Sequence, residues 1–262
     1  MPVQTHIDRA RTRVRTEREA VDAKLDAIDA FVDRIGDLPT ESIPSATTET
    51  ITTGGGLVRV ESANEDRCRT VRTVFAETIR PHGVADVDDS EPLLETVRSQ
   101  LSDGIAVALA PTTDTSFTAE LKQAILSAAA TLRAETDVLR QALVREDARL
   151  DTAGETVDEI TAWIAEADEA PLIDLGFEAL QQRHETLARH RDRCAQLTEQ
   201  RQAFLQETTN EGVDVGIRHH RLIPCLYQEF PVDHPLLATI ARLDDACATC
   251  QRAVRQHLIR RT

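Results

Sequence analysis

Apolar residues recur every three or four positions along most of this chain, and that recurrence predicts long amphipathic helices. Over residues 5–36 the positions Ile7, Ala10, Val14, Val21, Leu25, Ile28, Val32 and Ile35 share one face with charges between them, and Gly36 and Pro39 stop the run. A second helix is expected from about residue 64 to 80, with Cys68, Val71, Phe75 and Ile79 on one side, ended by Pro81 and Gly83. Ser90-Glu91-Pro92 reads as the start of a third, which carries Leu93, Leu94, Val97, Leu101, Ile105 and Leu109 and closes near Pro111, with Gly104 loosening its middle. Ser116 or Thr118 is placed to cap the helix that follows.

That helix is the longest pattern in the chain. Phe117, Leu121, Ile125, Ala128, Leu132, Thr136, Leu139, Leu143, Glu146, Leu150, Ala153, Val157, Ile160 and Ile164 stay in register, and their thirteen steps over 47 residues match the α-helical period. Unbroken, it would run roughly 75 Å at about 1.5 Å per residue, and Gly154 is where a bend is expected. Pro171 ends it. A run over residues 174–208, with Phe177, Leu180, His184, Leu187, Arg191, Cys194, Leu197, Arg201 and Leu205 in phase, returns after a short connection. The pair predicts an antiparallel, coiled-coil-like hairpin. Glu146, Arg191 and Arg201 sit on its seam, where they either pair across it or mark the absence of a third helix. A last helix over residues 234–260 carries Leu236, Ile240, Leu243, Cys247, Cys250 and Val254. The expected fold is all-α, an elongated helical bundle forming a single domain over residues 1–262.

Three stretches interrupt the pattern. Residues 37–63 are rich in Thr, Ser and Pro and end near Gly54-Gly55-Gly56, the composition of a mobile linker; Leu57 to Val60 has no second strand to pair with and reads as loop. Residues 209–218 are polar. Residues 219–235 (HHRLIPCLYQEFPVDHP) hold the chain's only Tyr with three Pro, three His and one Cys, and read as an ordered turn over the bundle end in preference to a partner-docking surface.

Charge changes the picture more than composition does. The net charge is -15, and the cations are almost all arginine, since lysine occurs only at Lys24 and Lys122. This is the balance of a salt-adapted archaeal protein, because in molar salt a Debye length of about 3 Å screens the repulsion of a carboxylate-rich surface. Such acidity makes nucleic acid an unlikely partner, as phosphate binding needs clustered cations and weakens with salt. Arg252, Arg255, Arg260 and Arg261 form a local basic end best explained by a helix C-terminus. The opening residues MPVQTHIDRARTR lack the apolar run of a signal peptide, and no stretch approaches the roughly 20 residues that cross a bilayer, so a cytoplasmic protein without a membrane partner is expected.

Searching for chemistry excludes more than it finds. There is no Gly-Lys dipeptide, GxGxxG or GxSxG, which removes the common nucleotide-binding and acyl-transfer signatures. His184-Glu185 opens like a zincin motif, yet Ala188 stands where the second histidine belongs, and His190 lies on another face. No histidine has Glu three residues before it, against a di-iron bundle. No catalytic residue is assigned, and the expectation is that the chain is not an enzyme. The five cysteines, an odd number, read as reduced thiols. Cys247 and Cys250 share a helical face and, joined by Cys225 and a histidine such as His220, would make the Cys3His set of a structural zinc. Cys68, Cys194, Cys247 and Cys250 also fall on the apolar seams, where a thiol packs as a small hydrophobe, and that reading is preferred.

The stretches DRCRTVRTVFAETIRPHGVAD at 66–86, EPLLETVRSQL at 91–101, DLGFEALQQRHETLARHRDRC at 174–194 and LYQEFPVDHPLLATIARLDDACATCQRAVRQHLIRR at 226–261 make the chain resemble a haloarchaeal family defined only as a domain of unknown function. The resemblance implies a stand-alone helical domain from a salt-loving archaeon and carries no activity or site residue with it. A helical scaffold or interaction protein is therefore expected, with a protein partner or self-association, the alternative being a metal-binding or thiol-sensing regulator.

Overall fold

The computed structural model describes residues 5–40, 62–82, 92–113, 115–210 and 219–260, with backbone alone for residues 62–66, 207–210 and 219–221. Among them are eight α-helices and no strand: α1 (Ile7–Gly36), α2 (Ser62–Glu77), α3 (Leu93–Gln100), α4 (Asp103–Ala108), α5 (Ala119–Asp168), α6 (Phe177–Asn210), α7 (His219–Leu226) and α8 (Pro235–Ile259). A 3-10 turn, Arg80–His82, follows α2. The fold is all-α. The expected linker lies outside the described residues over 41–61, as do Leu57 to Val60, Ser90-Glu91 and residues 211–218 of the polar loop.

The chain forms two compact units, residues 1–18 with 141–262 and residues 19–140, so that α1 and α5 each contribute to both. The unit of residues 19–140 is built on an apolar core. Ile28, Phe31 and Ile35 of α1, Val71 and Phe75 of α2, and Ile125 of α5 are all fully buried in one cluster, each worth about 1.5–3 kcal/mol of burial. Phe31 meets Phe75 edge to face at 5.9 Å. Both lysines serve this unit. Lys122 Nζ donates to the carbonyls of Gly36 at 2.6 Å and Leu38 at 2.8 Å, closing the end of α1, and Lys24 Nζ donates to Gln100 Oε1 at 2.9 Å.

The helix expected over residues 92–110 is divided into α3 and α4. The break falls at Leu101-Ser102 because the Ser102 hydroxyl accepts from the Ile105 amide at 3.2 Å, an N-cap that starts a new helix before Gly104 is reached. Of the two expected caps of α5, Thr118 acts, accepting from Leu121 N at 3.2 Å.

In the unit of residues 1–18 and 141–262, α5 and α6 run antiparallel, as Glu146 pairs with Arg201 and Glu159 with Arg193. Helix α8 lies antiparallel along α6: Arg191 Nε donates to Asp244 Oδ1 at 3.0 Å, and Gln251 Nε2 to the His184 carbonyl at 3.4 Å. A third helix is thus present at the seam, and it takes Arg191. Helix α5 continues without a break through Gly154, where a Cβ would run into the Arg11 guanidinium. That glycine admits Arg11, whose Nη2 donates to the Asp151 carbonyl at 3.1 Å and whose Nε pairs with Asp151 Oδ1 at 2.9 Å. Arg15 and Arg18 extend the row onto Asp147 at 3.3 and 3.1 Å. Residues 219–235, expected as a turn, begin instead with α7, which carries Pro224 inside it. No helix among the described residues is long and apolar enough to cross a membrane.

Candidate functional site

All the chemically distinctive groups that follow belong to the unit of residues 1–18 and 141–262. The cysteines and histidine considered for a metal are spread over α7 and α8. Cys225 is exposed on α7, Cys247 is buried on α8 and Cys250, one turn further on, is half-buried; His220 belongs to α7, and its side chain lies outside the described residues. Among the described residues no three His, Cys, Asp or Glu side chains converge to hold a metal ion, so Cys225, Cys247 and Cys250 do not form such a set. Burial pushes the Cys247 thiol up to about 12, with Cys194 and Cys250 opposing its ionisation further. Burial likewise pushes Cys194 up to about 11. Cys250 is raised by burial and by the Asp168 carboxylate. Thiols held in this direction are protonated at neutral pH and make poor nucleophiles.

A buried polar group joins three helical segments. Glu146 of α5 is 0% exposed and Arg201 of α6 is 2% exposed. Arg201 Nη1 donates to Glu146 Oε2 at 2.5 Å and Nη2 to Oε1 at 2.9 Å, the parallel fork that guanidinium and carboxylate planes favour. Tyr227, immediately after α7, donates its hydroxyl to Glu146 Oε1 at 2.6 Å. Burial and the neighbouring Glu146 charge hold that phenol far above its ordinary value, so it remains a donor. Phe204 lies beside the network, with Arg149 stacked over its ring at 3.9 Å. Around Tyr227 the α7 segment is tied to α1: Arg13 Nε donates to the Leu226 carbonyl at 3.4 Å, and Arg9 stacks over Phe230 at 4.5 Å. Glu146 and Arg201 were legible as seam residues; Tyr227 was visible only as the chain's single tyrosine.

A cleft of about 520 Å³ opens between α5 and α6, with His190 in its wall beside Trp163. The two rings meet edge to face at 4.9 Å. His190 is 7% exposed, and neither ring nitrogen meets a hydrogen-bond partner. Burial, then the Arg193 charge, lowers its pKa, so the imidazole is neutral and keeps one N–H. Arg193 is held by Glu159 in a fork of 3.0 and 2.7 Å, and Arg189 Nη2 donates to Thr186 Oγ1 at 2.8 Å. The sequence does not announce this cleft, because His190 stands out in it only beside an incomplete zincin motif. The signal available was the spacing of Thr186, Arg189, His190 and Arg193, which places all four on one face of α6 opposite the only tryptophan.

No acid, base and nucleophile are assembled in any of these groups: Glu146 is saturated by Arg201 and Tyr227, and the buried thiols are protonated. A family model described as a domain of unknown function (DUF7260) matches residues 5–251. No curated protein and no solved structure matches the chain.

Proposed function

Because the chain belongs to the DUF7260 family, a domain of unknown function, kinship transfers no activity to it, and we propose from its own residues that it is a non-enzymatic helical interaction protein. Its simplest partner is a second copy of itself. The observation that carries this reading is the turn between α5 and α6, where Ile173 is 70% and Phe177 49% exposed while Glu146, Arg201 and Tyr227 of the same unit are spent on internal pairing. Large apolar side chains grouped at one end of a helical pair favour association, and an apolar patch is self-complementary about a two-fold axis. The acidic surface of net charge -15 fits the cytoplasm of a halophilic archaeon, where high salt screens repulsion between like copies and strengthens apolar association. Seam packing along α5 and α6 gives the hairpin a coiled-coil character that holds this end rigid.

Sedimentation equilibrium in molar salt tests the reading. The native chain is expected to associate, and Ile173→Glu with Phe177→Glu is expected to leave a monomer of unchanged helicity. A native chain that stays monomeric throughout the concentration range, or a double variant that associates as before, overturns it.

A further inference from the structure

We propose that the His190–Trp163 cleft is a binding site for a small organic monocarboxylate, taken by Arg189 and His190 with its apolar body against Trp163. Elsewhere in the same unit Glu146 is matched with Arg201 and Tyr227, Gln251 with the His184 carbonyl and Thr239 with the Pro235 carbonyl, while single buried atoms at Arg11 Nε, Thr161 Oγ1 and Arg201 Nε make no hydrogen bond. His190 is as deeply placed, yet both its nitrogens are without a partner. Leaving such groups unsatisfied is costly, and a phenylalanine would fill the same space beside Trp163 at no such cost. The groove along the same wall is also lined by the long side chains of Glu159, Arg189, Arg193 and Gln196. Swinging the imidazole toward the groove puts its N–H within reach of an occupant.

The groups around it choose the class of occupant. Neutral His190 offers one N–H and no charge. Arg193 already has a carboxylate, since Glu159 holds it through both oxygens. Arg189 spends one nitrogen on the Thr186 hydroxyl, which leaves a planar fork for one more group. One cationic fork and one neutral donor suit a planar monoanion. A phosphate dianion needs more positive charge than this and meets the Glu159 and Asp192 carboxylates lining the same groove. The indole of Trp163 beside the imidazole gives an apolar tail a flat surface. Such a site is independent of the exposed turn through which the chain is proposed to associate.

Trp163 is the only tryptophan and borders both this cleft and a pocket beside Arg183 and Val254, so substitutions at Arg189 and His190, which line the cleft and not that pocket, assign a fluorescence change to the cleft. Isovalerate, a branched monocarboxylate that does not absorb near the indole, is titrated at constant ionic strength and pH 7.5, with inorganic phosphate and 3-methylbutanol, the uncharged analogue, in parallel. Saturable change with isovalerate is expected, with phosphate and the alcohol at least tenfold weaker. Arg189→Ala, an exposed position on α6, is expected to weaken the response by tenfold or more. His190→Phe, which keeps the apolar packing if the imidazole is only structural, is expected to weaken it as well. No saturable change in the native chain, a response as strong with phosphate or the alcohol, or a response unaltered by both substitutions overturns the proposal.

Discussion

Among the described residues of the unit 19–140 the buried polar side chains are two threonines, Thr96 and Thr136, and the rest of the buried set is apolar. In the unit of residues 1–18 and 141–262 the buried set includes Glu146, Asp147, His190, Arg201, Thr239 and Gln251. Both are made of amphipathic helices of similar period, so the difference is one of specification. Apolar burial is non-directional and tolerates sliding of one helix on another, whereas a guanidinium–carboxylate fork closes in one register only. The Glu146–Arg201 pair fixes how α5 faces α6, and Tyr227 on the same carboxylate fixes where the α7 segment docks. Two charges taken out of water bring little net stability, so their contribution is to register.

Breaking the pair gives the largest expected effect. Arg201→Met leaves the Glu146 carboxylate buried against Tyr227 alone, and a loss of about 3–5 kcal/mol is expected. The double variant Glu146→Leu, Arg201→Met is expected to recover most of it, because no unpaired charge remains. In the apolar unit Phe75→Ala should cost a similar 3–5 kcal/mol through the cavity beside Phe31, with no second substitution at a charge partner able to restore it. Thermal and urea unfolding of the three variants checks this. A double variant as weak as Arg201→Met would mean that the pair contributes stability and not register alone.

Much of the fold was legible in the sequence for the reason that makes the apolar unit simple. Periodic burial writes itself as a three-and-four spacing, so α1, α2, α5, α6 and α8 were each visible to within a few residues. Gly36 and Thr118 mark ends through local chemistry, and the structure uses both. What was not legible depends on contacts between distant residues. Nothing local in α7 announces that Tyr227 reaches Glu146, 81 positions earlier. Ser102 rather than Gly104 divides α3 from α4, because a hydroxyl that captures an amide outweighs the modest cost of a helical glycine. The division of α1 and α5 between two units leaves no mark on either pattern. At the candidate site, the seam charges announced themselves, while the cleft at His190 stayed hidden behind a motif it does not complete.

Acid sharpens the comparison next. His6 Nε2 accepts from Arg242 Nη1 at 3.0 Å, and burial with the Arg242 and Arg9 charges lowers its pKa; His190 is lowered by burial, Arg193 and Arg189, against the opposing Glu159. Both are neutral in the folded chain at a pH where the unfolded chain binds protons. Their stabilising contribution is therefore complete above about pH 6.5 and is lost as pH falls through the lowered folded values. The melting temperature is expected to fall between pH 7 and pH 5, and His6→Gln with His190→Phe to flatten that slope. At neutral pH His190→Phe alone should raise stability by about 1 kcal/mol, since it removes unpaired polar atoms. An unchanged slope in the double variant would place the titration elsewhere.

The thiols give a smaller effect with a clear order. Exposed Cys225 is expected to react first with a disulfide reagent and half-buried Cys250 second, while Cys194, Cys247 and Cys68 wait for unfolding. Chelator is expected to leave the melting temperature unchanged. A fall of several degrees, with metal found at one ion per chain, would restore the zinc reading of Cys225, Cys247, Cys250 and His220.

The finest test concerns Gly154. A glycine inside a helix costs about 1 kcal/mol relative to alanine, so Gly154→Ala in an empty environment would stabilise α5 by that amount. Here the added methyl must displace the Arg11 guanidinium, which lies against the helix backbone, hydrogen-bonds the Asp151 carbonyl and is ion-paired with the Asp151 carboxylate. Losing a charge-assisted hydrogen bond offsets the gain by about 1–2 kcal/mol, and Gly154→Ala alone is expected to be neutral or slightly destabilising. In an Arg11→Ala background the obstacle is gone, and the same substitution is expected to stabilise by about 1 kcal/mol. A double-mutant cycle by urea unfolding reads the coupling directly. A coupling near zero would mean that Gly154 holds no place for Arg11; a coupling of the expected sign shows a glycine kept for a long-range polar contact, in the unit where such contacts set the register.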